Sequence, residues 1–125
     1  MSTNATITVI DKANDKAITI YSHWDGYPEG VGQTLKDHYS TLDQALALVA
    51  LGAVSSLGKS IDNPDGHSFN APAEDCTVFY GRDRGEDDVA CDVQSISSFK
   101  TRNVKDSKWG RQEYNYVFDN GIWKH

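Results

Sequence analysis

The stretch Ala5-Thr6-Ile7-Thr8-Val9-Ile10-Asp11 is rich in β-branched residues, and so is Ala17-Ile18-Thr19-Ile20-Tyr21-Ser22-His23-Trp24. Between them, Ala13-Asn14-Asp15-Lys16 supplies turn chemistry. Branching at Cβ favours the pleated strand, and two such runs around a turn predict a β-hairpin. Side chains alternate along a strand, so Ile18, Ile20, Ser22 and Trp24 share one face of the second run, and Ala17, Thr19, Tyr21 and His23 share the other. His23 therefore stands at the strand's end beside Tyr21.

Outward from the hairpin, Asp25-Gly26-Tyr27-Pro28-Glu29-Gly30 breaks regular structure with two glycines and a proline. A short helix follows, carrying Val31, Leu35, His38 and Tyr39 on one stripe. Thr41-Leu42-Asp43-Gln44 reads as a capping box that starts a second helix. Its expected buried stripe is Leu42, Ala45, Leu46, Val49 and Ala50, with Leu48 and Leu51 widening the apolar face, and Gly52 is placed to end it in the left-handed conformation. Residues 52–72 are dominated by Gly, Ser, Asn, Asp and Pro, with Leu57, Ile61 and Phe69 as apolar anchors. They predict a long loop with a short helical turn near Ser55 to Leu57.

Further on, Cys76-Thr77-Val78-Phe79-Tyr80 and Val89 to Ile96 predict a second hairpin, whose tip would be the charged segment 81–88. Glu113 to Phe118 and Ile122-Trp123-Lys124 flank Asp119-Asn120-Gly121, a strong hairpin signal because Asn and Gly both tolerate positive φ. The expected fold class is α+β: one domain over residues 1–125, with a mostly antiparallel sheet of about five to seven strands and two helices packed on one face.

Composition agrees with one folded core. The chain has 125 residues, 38% hydrophobic and 24% charged, away from the composition of disordered chains. Eighteen acids against twelve bases give a net charge of −6, which repels phosphate backbones and argues against a nucleic-acid partner except by mimicry of one. The basic stretch Lys100, Arg102, Lys105, Lys108 and Arg111 lacks the aromatic interleaving of a base-stacking platform and reads as a solvated face. No apolar run approaches the roughly 20 residues of a membrane span, and no signal peptide is expected at the first residues. With two cysteines and no C-x-x-C pair, Cys76 and Cys91 are expected as reduced core thiols in a cytoplasmic protein.

The segments His23-Trp24-Asp25-Gly26-Tyr27-Pro28, His38-Tyr39, Ala50-Leu51-Gly52, Ser55-Ser56-Leu57-Gly58 and Phe79-Tyr80-Gly81-Arg82-Asp83-Arg84-Gly85-Glu86 occur in that order. Together they resemble a family of small uncharacterised bacteriophage and prophage proteins, over roughly residues 2 to 88. The resemblance implies a phage setting in a bacterial cytoplasm and no catalytic residues. It also implies a host protein as partner, since small phage proteins outside the virion often inhibit host factors, anti-defence inhibitors of the CRISPR-directed kind among them.

The candidate binding residues are His23, Trp24, Asp25, Tyr27, His67, Arg82, Asp83, Arg84 and Glu86. Two readings compete. In the first, they contact a protein, and no metal or other cofactor is called for. In the second, His23, Asp25, Arg82 and Arg84 hold a nucleotide-like ligand for sequestration or catalysis, because guanidinium forks match phosphate. Against both, Trp24, Asp25 and Gly26 also fit a purely structural turn, and Arg82 to Glu86 a self-satisfied knot of salt bridges. Whether His23, His67 and Arg82 line one cleft separates the readings: convergence favours ligand chemistry, dispersion favours protein contact.

Overall fold

In the computed structural model, which describes residues 2–102 and 108–125, β1 (Ala5–Asp11) is buried at every position. A strand lies on each side of it. β2 (Lys16–Ser22) pairs antiparallel along its full length, from Ala5 opposite Ser22 to Asp11 opposite Lys16. β6 (Tyr114–Asp119) pairs on the other side in parallel, Ala5 opposite Tyr114 and Val9 opposite Phe118. The first hairpin is therefore as the β-branched pattern predicts, with β1 at the centre of the sheet.

Both faces of β1 are covered. On one face Ile7, Val9 and Ile20 pack with Val31, Leu35 and Tyr39 around α1 (Gln33–His38), and with Ala45, Leu48 and Val49 of α2 (Leu42–Ala50). On the other, Ile10 and Ala17 meet Phe99 of α4 (Ile96–Arg102), while the Thr8 and Thr19 hydroxyls bond each other at 2.8 Å. Two helices on one face is thus right as far as it goes. α4 adds cover to the opposite face, in a stretch whose polar residues gave no apolar stripe; of the basic residues expected there, Lys105 lies outside the described residues.

The rest of the sheet is β3 (Val54–Ser56), β4 (Val78–Phe79), β5 (Asp92–Gln94) and β7 (Ile122–Lys124), in the order β4-β3-β2-β1-β6-β7 with β5 also on β2, making seven strands among the described residues. The sheet is mixed: β1 with β6 and β2 with β3 are parallel, and the other pairings are antiparallel. The α+β class holds. Asn120 and Gly121 both take positive φ, 53° and 78°, and join β6 to β7 (Ile122–Lys124) as their dipeptide predicts.

The second hairpin does not form. β4 (Val78–Phe79) pairs with β3 (Val54–Ser56), whereas β5 (Asp92–Gln94) pairs with β2. Between β4 and β5, Tyr80–Arg84 coils into a short helix, α3, that ends on left-handed Gly85. The physical reason is local: Asp83 Oδ2 accepts the Phe79 amide at 2.8 Å, closing a helical turn at the point where a strand would continue. Strand β3 also replaces the helical turn expected near Ser55 to Leu57.

The capping box is as predicted, with the Gln44 amide donating to Thr41 Oγ1 and the Thr41 amide to Gln44 Oε1, both at 3.2 Å. Its helix is rotated from the expected stripe. Leu48, expected to widen that face, is buried with Ala45 and Val49, whereas Leu42 and Ala50 face solvent. Gly52 takes φ +85° after it, where an added Cβ would meet the Val89 carbonyl oxygen at 2.5 Å. Cys76 and Cys91 are unpaired and half-buried, less enclosed than expected.

Candidate functional site

The turn after β2 is built by backbone hydrogen bonds. The Gly26 amide donates to Thr3 O at 2.8 Å, the Val31 amide to Asp25 O at 2.8 Å, and the buried Tyr116 hydroxyl to Gly26 O at 2.7 Å. Burial first, with Tyr114 and Glu29 adding to it, pushes that hydroxyl up to about 12, so it stays a donor throughout the neutral range. The expected break is shorter than residues 25–30, because Pro28 already opens a π-helical turn, Pro28–Gly32, that leads into α1, its missing amide falling where a helix leaves amides unpaired anyway. Gly30 is required by close approach: a Cβ there would stand 2.4 Å from Asp25 O.

On this pinned backbone, Trp24 remains 44% exposed and Tyr27 38% exposed. Asp25 is also exposed, in the left-handed region at φ 56°. The Tyr27 hydroxyl donates to Asp25 Oδ1 at 3.3 Å. The Asp25 charge above all, then slight desolvation, that hydrogen bond and the Glu29 charge, raise the Tyr27 hydroxyl above its ordinary 10.0. His23 is half-buried, its Nδ1 hydrogen-bonded to the Tyr21 hydroxyl at 2.8 Å and its ring edge-on to Trp24 at 4.7 Å. Trp109 stacks on Tyr21 at 5.8 Å, which extends the aromatic surface by a residue from far along the chain. Nothing periodic around Trp109 announces that contact.

The other candidates lie across β3. The His23 and Trp24 amides donate to Val54 O and Ser55 O, both at 3.0 Å, and β4 on the far side of β3 leads into α3. There Asp83, its side chain only 2% exposed, faces Arg82 at 2.9 Å and His67 at 3.4 Å. The Ala73 amide donates to His67 Nδ1 at 2.9 Å, so Nδ1 offers a lone pair and Nε2, which faces Asp83, carries the ring proton. Arg82 also donates to Ile61 O at 2.5 Å and to Asp62 O and Thr77 O at 3.4 and 3.3 Å. Its fork is occupied by internal acceptors and ties the long loop to α3.

Burial raises the Asp83 carboxyl, but the hydrogen bonds from Arg82 and the Phe79 amide, with the charge of Arg82, outweigh it and hold the group below its ordinary 3.8. Arg84 and Glu86 remain at the surface. They approach to 2.7 Å, although the Glu86 oxygen is not aligned as a hydrogen-bond acceptor, and the Arg84 guanidinium lies over Phe69 at 4.3 Å and Tyr80 at 5.3 Å.

His67 and Arg82 therefore converge on Asp83 in the interior, while His23 belongs to a separate, exposed group. Among the described residues no three His, Cys, Asp or Glu side chains are arranged to hold a metal ion, and no helix is long and apolar enough to cross a membrane. The surface beside Trp24 can offer π faces, a phenol, an imidazole and two carboxylates. No protein-family model, curated protein or solved structure matches the chain.

Proposed function

We propose that the protein is a phage-encoded inhibitor that binds a bacterial host factor by protein–protein contact, in the manner of an anti-defence protein, and that the Trp24–Tyr27 turn is the centre of its contact surface. The observation that carries this reading is the pairing of exposed aromatic rings with a fixed backbone. Trp and Tyr dominate binding energy at protein interfaces, and a turn held in place before binding loses little entropy on association. The Gly26, Val31 and Tyr116 hydrogen bonds hold this turn. The phage setting and the host cytoplasm come from the family resemblance, and the net charge of −6 suits a basic target surface.

The interior position of Arg82 and Asp83 supports contact over ligand chemistry, because the guanidinium fork that would grip a phosphate is already bonded to the protein. The immobilised chain, challenged with lysates from a panel of bacteria, should retain a host protein that the Trp24→Ala/Tyr27→Ala chain does not. If wild type and variant retain the same proteins, the turn is not the contact surface. If wild type retains none across the panel, the inhibitor reading fails.

A further inference from the structure

Elsewhere on this protein, three half-buried aromatic rings carry the chain's own cations. Arg84 lies over Phe69 and Tyr80, and Lys108 lies over Trp109 at 5.1 Å. The acids beside them are matched as well: Glu86 faces Arg84, and Asp88 faces Lys108. Among the described residues, the Trp24–Tyr27 turn has the rings and the acids without a lysine or arginine on them. From Trp24 to Leu35 the charged residues are Asp25 and Glu29, both exposed, with no Lys or Arg. Among the described residues no ion pair reaches either carboxylate, and no cation lies over Trp24 or Tyr27.

We infer that this turn receives an arginine side chain of the partner, whose guanidinium plane lies on the exposed ring of Trp24 or Tyr27 and whose charge is met by Asp25 and Glu29. The inference deepens the contact reading and rests on it. Arginine is favoured over lysine because its planar, weakly hydrated group stacks on aromatic faces while keeping in-plane donors for carboxylates. The raised Tyr27 hydroxyl reports the same negative field, with Asp25 as its main source and Glu29 contributing.

The test is a titration of the full chain with a short peptide of alternating alanine and arginine, and with its neutral citrulline counterpart, read by NMR from the amide shifts of residues 24–30 and the Trp24 indole. The arginine peptide should shift these signals and bind about tenfold more tightly than the citrulline peptide. Its advantage should vanish in about 1 M salt, where charges are screened beyond about 3 Å. Asp25→Asn with Glu29→Gln should remove the preference and leave the fold intact, since asparagine tolerates the left-handed backbone at Asp25. Absence of shifts at residues 24–30, or equal binding of the two peptides, overturns the arginine assignment. So does a host protein retained equally by wild type and the Asp25→Asn/Glu29→Gln chain; that result leaves the contact reading standing, whereas a host protein retained despite loss of Trp24 and Tyr27 removes both.

Discussion

Asp83 shows how a residue chosen for its chemistry can turn out to hold the fold. It accepts from the Phe79 amide, pairs with Arg82 and faces His67, all in the interior. Replacing Arg82 with alanine takes the guanidinium from that buried carboxylate and leaves it only the Phe79 amide and His67, and chemical denaturation should show a loss of about 3 kcal/mol or more. Arg82→Lys should recover only part of it, because a single ammonium cannot reach Ile61 O, Thr77 O and Asp83 together. The pH dependence follows from the lowered carboxyl of Asp83. A depressed folded value means that the unfolded chain takes up the proton first, so the stabilisation is complete above the unfolded value and is lost as pH falls through the folded one. Stability measured by urea titration should hold steady above about pH 5 and decline below about pH 4, and Asp83→Asn should flatten that acid limb. Trp24 is the opposite case. Its exposure predicts that Trp24→Ala changes stability by no more than about 0.5 kcal/mol, while costing about 2 kcal/mol or more of affinity for the retained host protein.

Among the elements, those announced by local chemistry formed where that chemistry placed them. Thr41 and Gln44 cap α2 reciprocally, so Thr41→Ala should lower stability by about 1 kcal/mol in thermal or chemical unfolding. The segment 81–88 has the charged composition of a hairpin tip and instead holds most of α3. Its own residues held the contrary signal, a carboxylate four residues after Phe79 and a glycine after Arg84 able to end a helix. That short helix leaves β4 two residues long and sends β5 to β2. α4 was missed for another reason: its cover of the sheet rests on Phe99 and Ile96, too few apolar residues to make a period. Phe99 is 6% exposed, and Phe99→Ala should cost about 3 kcal/mol or more, with amide exchange accelerated in α4 and in β2 beneath it.

For the whole molecule the decisive feature is that β1 needs β6, whose residues lie more than a hundred positions away in pairs such as Ala5 with Tyr114. A chain ending at Gln112 would expose one edge of β1 and lose Phe118 and Trp123 from the core, so it should lack the cooperative thermal transition expected of the full chain. The same strand sends the Tyr116 hydroxyl to Gly26 O and so fixes the candidate site from below. By itself the sequence determined the first and last hairpins, the start of α2 and the α+β class, because β-branching, capping side chains and Asn-Gly chemistry act within a few residues. Only the tertiary structure decided that the sheet is mixed, that α4 covers its second face, that Trp109 joins Tyr21 at the surface, and that Arg82 and His67 turn inward while Trp24 and Tyr27 stay exposed. Those outcomes depend on strand partners and burial summed over distant segments, and no local pattern of side chains encodes which distant surface will cover it.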